Sequence, residues 1–137
     1  MKELFEIIKN LDYASTGPSV SISDIYEANE ILTSNDFTKI PQDMILFLQS
    51  YNGFRTEEGI IFGIDTINHS LYDIVAENLV LPNPEPKNIL ILGENDNTYL
   101  AYNNLIQRYT ILDKESFLEL ISSKSLSNLI RQILKLS

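Results

Sequence analysis

The chain has 137 residues, ten Lys+Arg against nineteen Asp+Glu, a formal net charge of -9 at pH 7 and no cysteine. That balance argues against nucleic-acid binding, which needs cationic surface for the phosphates, and the missing cysteines exclude disulfides and Cys-ligated zinc. At this length one domain is expected; no run of about 18 apolar residues spans a membrane, and the charged, periodic start MKELFEIIKN lacks a signal core, so a cytoplasmic location is expected.

Lys2 to Leu11 is an amphipathic helix, with Leu4, Ile8 and Leu11 on one stripe, Phe5 widening it, and Glu3, Glu6 and Lys9 toward water. Asp12 to Ser19 is a loop by its Ser, Thr, Gly and Pro content. Ser21 and Asp24 have capping-box spacing for a second helix, whose face holds Ile22, Ile25, Ala28, Asn29 and Leu32 and which stops near Thr33-Ser34-Asn35. Pro41 suits a helix start, Met44, Phe47, Leu48 and Tyr51 share a face, and Asn52-Gly53 ends the helix.

After a charged loop, Gly59 to Ile64 is a buried strand, the first of a sheet. A short helix is expected over Ser70–Asn78. Pro82, Pro84 and Pro86 then force an extended loop. Asn88 to Gly93 (NILILG) is a second buried strand, Glu94-Asn95-Asp96-Asn97 a turn cluster, Thr98 to Asn103 an alternating strand, Asn103-Asn104 a hairpin turn and Leu105 to Leu112 a third strand of this group, an antiparallel meander. Asp113 is a good N-cap for a helix with Phe117, Leu118 and Ile121 on its apolar side. Ser122 to Ser125 breaks it, and Leu126, Leu129, Ile130, Ile133 and Leu134 form the last helix, with Arg131 and Lys135 near its C-terminal end.

Candidate chemistry is sparse. His69 is the only histidine; with Ser70 and an acid it is formally a triad, but it reads as a surface-loop residue, and two-histidine metal sites are excluded. Glu94-x-Asp96 offers oxygen ligands but lacks the spaced acids of a calcium loop, so it reads as a solvated turn. Gly59-x-x-x-Gly63 has no following Lys-Ser/Thr and is not a phosphate loop. Neither catalytic, cofactor nor metal residues are expected. Tyr72, Tyr99, Tyr102 and Tyr109 are candidates for either packing or interface contact.

Several of these stretches together resemble the SMI1/KNR4 family, also called the SUKH superfamily. The residues that carry the resemblance are Ile40-Pro41, Phe47-Leu48, Tyr51-Asn52-Gly53, Ile60–Ile64, the run ILILGENDNTYLAYN over Ile89–Asn103, and Phe117 to Ile121, which is similar to the family's closing helix. The similarity spans roughly residues 20–135 and looks closest to the bacterial YrhA-like branch. It implies a single α+β domain, an antiparallel β-sheet packed against N- and C-terminal helices. It also implies an immunity protein that binds and neutralises a cognate toxin, often a nuclease. The alternative, also found in the family, is a regulatory or scaffolding module for an endogenous protein.

Charge placement adds a binding expectation. Residues 1–102 hold sixteen of the acids, whereas residues 103–137 hold three acids and five bases. A partner with a basic surface would be steered to the acidic part. The expected surface pool is Glu57, Glu58, Asp65, Asp73, Glu77, Glu94 and Asp96.

Overall fold

The computed structural model describes residues 1–11, 14–64, 72–80 and 88–136. Five helices, α1 (Lys2–Lys9), α2 (Ile22–Ser34), α3 (Gln42–Ser50), α4 (Ile74–Val80) and α5 (Leu126–Ile133), accompany seven strands. The strands are β1 (Ser15–Thr16), β2 (Phe54–Arg55), β3 (Gly59–Ile61), β4 (Ile89–Asn95), β5 (Thr98–Asn103), β6 (Arg108–Asp113) and β7 (Glu119–Ser123). They form one antiparallel sheet in which each strand pairs with its neighbours in chain order. The α+β class with helices from both ends of the chain against an antiparallel sheet is the expected one.

Local chemistry explains most elements. Ser21 accepts from Asp24 N (3.1 Å) and Ser21 N donates to Asp24 Oδ2 (3.1 Å), the reciprocal capping box that starts α2. Pro41 is the residue before α3, and Met44, Phe47 and Leu48 are its buried face. In α5, Ser125 accepts from Asn128 N, and Leu126, Leu129, Ile130 and Ile133 are buried against β3 to β7. Leu90, Ile91 and Leu92 are consecutive and all fully buried, so β4 is covered on both faces; Leu100-Ala101 of β5 and Tyr109 to Leu112 of β6 repeat the pattern. The tyrosines pack accordingly. Tyr99 and Tyr109 are buried, with Tyr99 stacked on Phe117 and Tyr102 against Tyr109.

Two buried asparagines join these elements. Asn52 donates from Nδ2 to Ile64 O (2.9 Å) and Pro18 O (2.6 Å), and its Oδ1 accepts from Ile64 N (2.7 Å). Asn78 of α4 treats Ile91 of β4 alike: Nδ2 donates to Ile91 O (2.8 Å) and Oδ1 accepts from Ile91 N (2.8 Å). A primary amide presents the same donor and acceptor as a peptide group, so each side chain pairs a backbone N–H and C=O that no strand among the described residues reaches.

Several expectations are corrected. The loop over residues 12–19 contains β1, and the charged loop after Gly53 begins with β2, so Gly59 opens the third strand rather than the first. The regular pairing of that strand stops at Ile61; Gly63 makes only an isolated bridge to Asp73. The expected helix over Ser70–Asn78 begins at Ile74, because Asp73 caps it through Ala76 N (3.0 Å) and Tyr72 has φ +57°; Ser70 and Leu71 lie outside the described residues, as does the Pro82–Pro86 stretch. β4 runs on through Glu94 and Asn95, leaving Asp96-Asn97 as the turn. Residues 104–107, with Gln107 at φ +54°, form the β5–β6 turn, so β6 starts at Arg108 rather than Leu105.

The largest correction is the helix expected after Asp113. Asp113 does cap, but it caps a tight turn: Oδ2 accepts from Glu115 N (3.1 Å), Ser116 N (2.9 Å) and Ser116 Oγ (2.9 Å). Phe117 then takes φ +58°, Asp113 N donates to Leu118 O, and the chain enters β7. Leu118 and Ile121 look helical because a β-bulge adds one residue between Glu119 and Ile121 and stretches the two-residue period to three.

Asn52→Ala and Asn78→Ala are each expected to lower stability by about 2–4 kcal/mol in urea unfolding, because each leaves at least two backbone groups unpaired. Exposed Asn104→Ala is expected to stay within about 0.5 kcal/mol. Gly63→Ala should be as damaging as the first pair, since its Cβ would lie 2.6 Å from Gly53 N and 2.8 Å from Asn52 Oδ1.

Candidate functional site

In a meander, alternate hairpins turn at the same end of the sheet. The β2–β3, β4–β5 and β6–β7 turns therefore gather at one end, as the register Gly59↔Asn95, Thr98↔Asp113 and Leu112↔Glu119 shows. Those turns and the strand ends beside them carry Glu57 and Glu58, Glu94 and Asp96, and Asp113 and Glu115. Six carboxylates from three separate stretches thus share one end of the sheet, in a polar, turn-built setting.

Each turn is held by its own side chains. Thr56 N donates to Gly59 O (3.0 Å) and Glu58 N to Thr56 Oγ1 (3.1 Å), which leaves the Glu57 and Glu58 side chains exposed. Gly59 is required by close approach: a Cβ there would lie 2.8 Å from Glu94 O. Asn95 Oδ1 accepts from Asn97 N, Thr98 N and Thr98 Oγ1 (3.0, 2.9 and 2.9 Å), and its Nδ2 donates to Ile133 O (3.2 Å), tying the β4–β5 turn to α5. Lys114 N donates to Asn97 O (3.0 Å), so the second and third turns are joined directly.

A cleft of about 180 Å³ lies between the first two turns, walled by Glu57, Glu58, Glu94, Asp96, Tyr72 and Lys114. Lys114 Nζ pairs with Glu94 Oε2 at 2.8 Å and sits 5.2 Å from the Tyr99 ring centroid. Arg55 stands over the Tyr72 ring at 5.7 Å, and Lys135 reaches Glu58 at 3.3 Å. Hydrogen bonds from Ser116, backbone first and then hydroxyl, hold the Asp113 carboxyl below its ordinary pKa.

The expected pool divides. Glu57, Glu58, Glu94 and Asp96 line the cleft together. Asp73 is corrected: at 4% exposure it is buried, acting as the α4 cap rather than as surface charge. Glu77 is half-buried on α4, and its pKa is raised, first by desolvation and then by the Glu94 and Asp73 charges. Asp65, His69 and Ser70 lie outside the described residues. Asp113 and Glu115 join the acidic end although the sequence reading placed them at a helix start; the missing signal was the hairpin that follows them.

Among the described residues no group of three or more His, Asp or Glu side chains is arranged to hold a metal ion, and no helix is long and apolar enough to cross a membrane. Compared with family models and with curated proteins, the chain matches none.

Glu77 supplies a pH test. Its folded pKa is raised above the unfolded value, so its ionisation opposes folding; the penalty is absent below the ordinary carboxylate pKa and complete above the raised one. Glu77→Gln, which mimics the neutral acid, is expected to raise the melting temperature at pH 7, and the gain should vanish near pH 4, as followed by thermal unfolding across that range. An equal gain at both pH values would assign the effect to packing.

Proposed function

We propose that this protein is a cytoplasmic immunity protein that neutralises a cognate bacterial toxin by stoichiometric binding rather than by chemistry. The observation that carries the reading is the gathering of Glu57, Glu58, Glu94, Asp96, Asp113 and Glu115 on three interlocked turns and their adjoining strand ends at one end of the sheet. The resemblance of Ile40-Pro41, Tyr51-Asn52-Gly53 and Ile89–Asn103 to the SMI1/KNR4 family supports it and supplies the toxin as partner. A nuclease is the toxin class that fits best, because a cleft that binds phosphates is basic and complements a rigid acidic end.

The physics of such inhibition follows from the site. Carboxylates on short, hydrogen-bonded turns lose little entropy on contact, and the surplus negative charge steers encounter before any contact forms. Glu94 enters the complex already paired with Lys114, so a toxin cation would have to compete with that ammonium. Glu57, Asp96 and Glu115 have no ion-pair partner among the described residues and are the contacts a basic surface meets first.

The test is co-purification with the product of the neighbouring reading frame. A one-to-one complex in which the toxin loses its activity is the expected result. Capture of a housekeeping protein with no toxin gene nearby would instead favour a regulatory or scaffolding module. Association is expected to slow steeply with added salt. The triple variant Glu57→Lys, Glu58→Lys and Asp96→Lys should cut the on-rate about tenfold or more in stopped-flow measurements at low salt. An on-rate indifferent to both would remove the acidic end from the interface.

A further inference from the structure

The two edges of the sheet differ. β1 is two residues long, Ser15 and Thr16, both polar and exposed. β7 is five residues long and has no strand on its outer side among the described residues. Leu118, Leu120 and Ile121 stand exposed along it, at 67%, 56% and 37%. Folded proteins usually blunt an edge of this kind, and the β1 edge is blunted by its brevity.

The β7 bulge decides which side chains share a face. Glu119 pairs with Leu112, Ile121 with Ile111 and Ser122 with Thr110. Leu112 and Thr110 are two apart on β6 and so point the same way, which puts Glu119 and Ser122 on one face. Lys124, exposed, is the bend residue that follows the strand, and the strand alternation carried two residues beyond Ser122 reaches it on the same face. In an unbulged strand Glu119 and Lys124 would point to opposite sides.

We infer that β7 is a self-association edge: two copies pair β7 with β7, antiparallel about a two-fold axis near Ser122. That register sets Glu119 of each copy opposite Lys124 of the other, on the same face, so the pairing carries two cross-strand ion pairs. The bulge is what makes the strand electrostatically complementary to itself. The axis also sends the two acidic ends in opposite directions, which limits repulsion between copies that each carry a net charge of -9. The β1 edge cannot extend the assembly, so the product is a closed pair and not a filament. One edge strand is a small contact, and the dimer is correspondingly weak. None of this depends on which partner meets the acidic end.

Sedimentation of the full chain over a concentration series tests the inference. The expected result is a monomer–dimer equilibrium. Glu119→Lys and Lys124→Glu, both at exposed positions, should each weaken it about tenfold by facing like charges across the axis. An equimolar mixture of the two variants should recover the dimer, since every facing pair is then of opposite sign. A wild-type chain that stays monomeric up to about 1 mM overturns the inference. So does a dimer that neither charge reversal weakens, or one that mixing fails to restore.

Discussion

The Asn52 amide is the constraint from which much of this architecture follows. Through one planar group it binds Pro18 before α2 and both backbone groups of Ile64 after β3, and it follows directly on Tyr51, the residue that closes α3. The chains it joins run too close for side chains: a Cβ on Gly17 would lie 2.7 Å from Asn52 O, and one on Gly63 would meet Gly53. Gly53, at φ +75°, makes the turn that lets the backbone lie against Gly63. Asn52, Gly53 and Gly63 are therefore one device. Removing the amide would leave buried peptide groups unsatisfied at the point where three segments meet.

Asn78 performs the same operation further along. β3 gives out at Ile61, with one more backbone bond from Phe62 N to Leu92 O (2.8 Å), so on its β3 side the backbone of Ile91, buried and paired with Ala101 of β5 on the other, has no strand among the described residues. The Asn78 amide takes the place of the missing peptide group and fixes α4 to the sheet at the same time. A short strand continued by a side chain lets β3 end early and leaves β4, β5 and β6 to carry the core. That core sets the direction of every later strand, and the direction of the strands sets where the turns fall. The acidic end is thus a consequence of topology: its carboxylates come from three turns that are far apart in the chain and adjacent only because the sheet is a meander.

How much of this was legible beforehand depended on how local the cause was. The Ser21–Asp24 box, the apolar stripes of α1 and α5 and the buried runs of β4 and β5 are written within a few residues, and periodicity finds them. β1 and β2, at two residues each, are too short to show any period. β7 was hidden by its bulge, since one inserted residue turned a strand's spacing into a helix's and Asp113 supplied a genuine cap signal for the wrong element. Asn52 announced only its local role as a helix stop; its bonds to Ile64 lie twelve residues on, where sequence gives no hint. The same limit applied to the acids. Glu57, Glu58, Glu94 and Asp96 were found by charge alone, Asp73 was misjudged because a capping carboxylate looks like any other, and Asp113 and Glu115 needed the hairpin to be seen.

Charge by segment and charge by surface are different quantities in this fold. Residues 103–137 are the basic part of the chain, yet two of their five cations, Lys114 and Lys135, reach back to Glu94 and Glu58 at the acidic end. A third, Arg108, is held by Ser122, donating from Nε to its hydroxyl at 2.8 Å. The acidic end is therefore less negative than a count of its carboxylates suggests, and the remaining field comes from Glu57, Asp96, Asp113 and Glu115. Lys124 is left at the far end of β7, away from that field. An anionic chain that must avoid its own copies in most orientations has one orientation, strand edge to strand edge, in which its charges are arranged to attract.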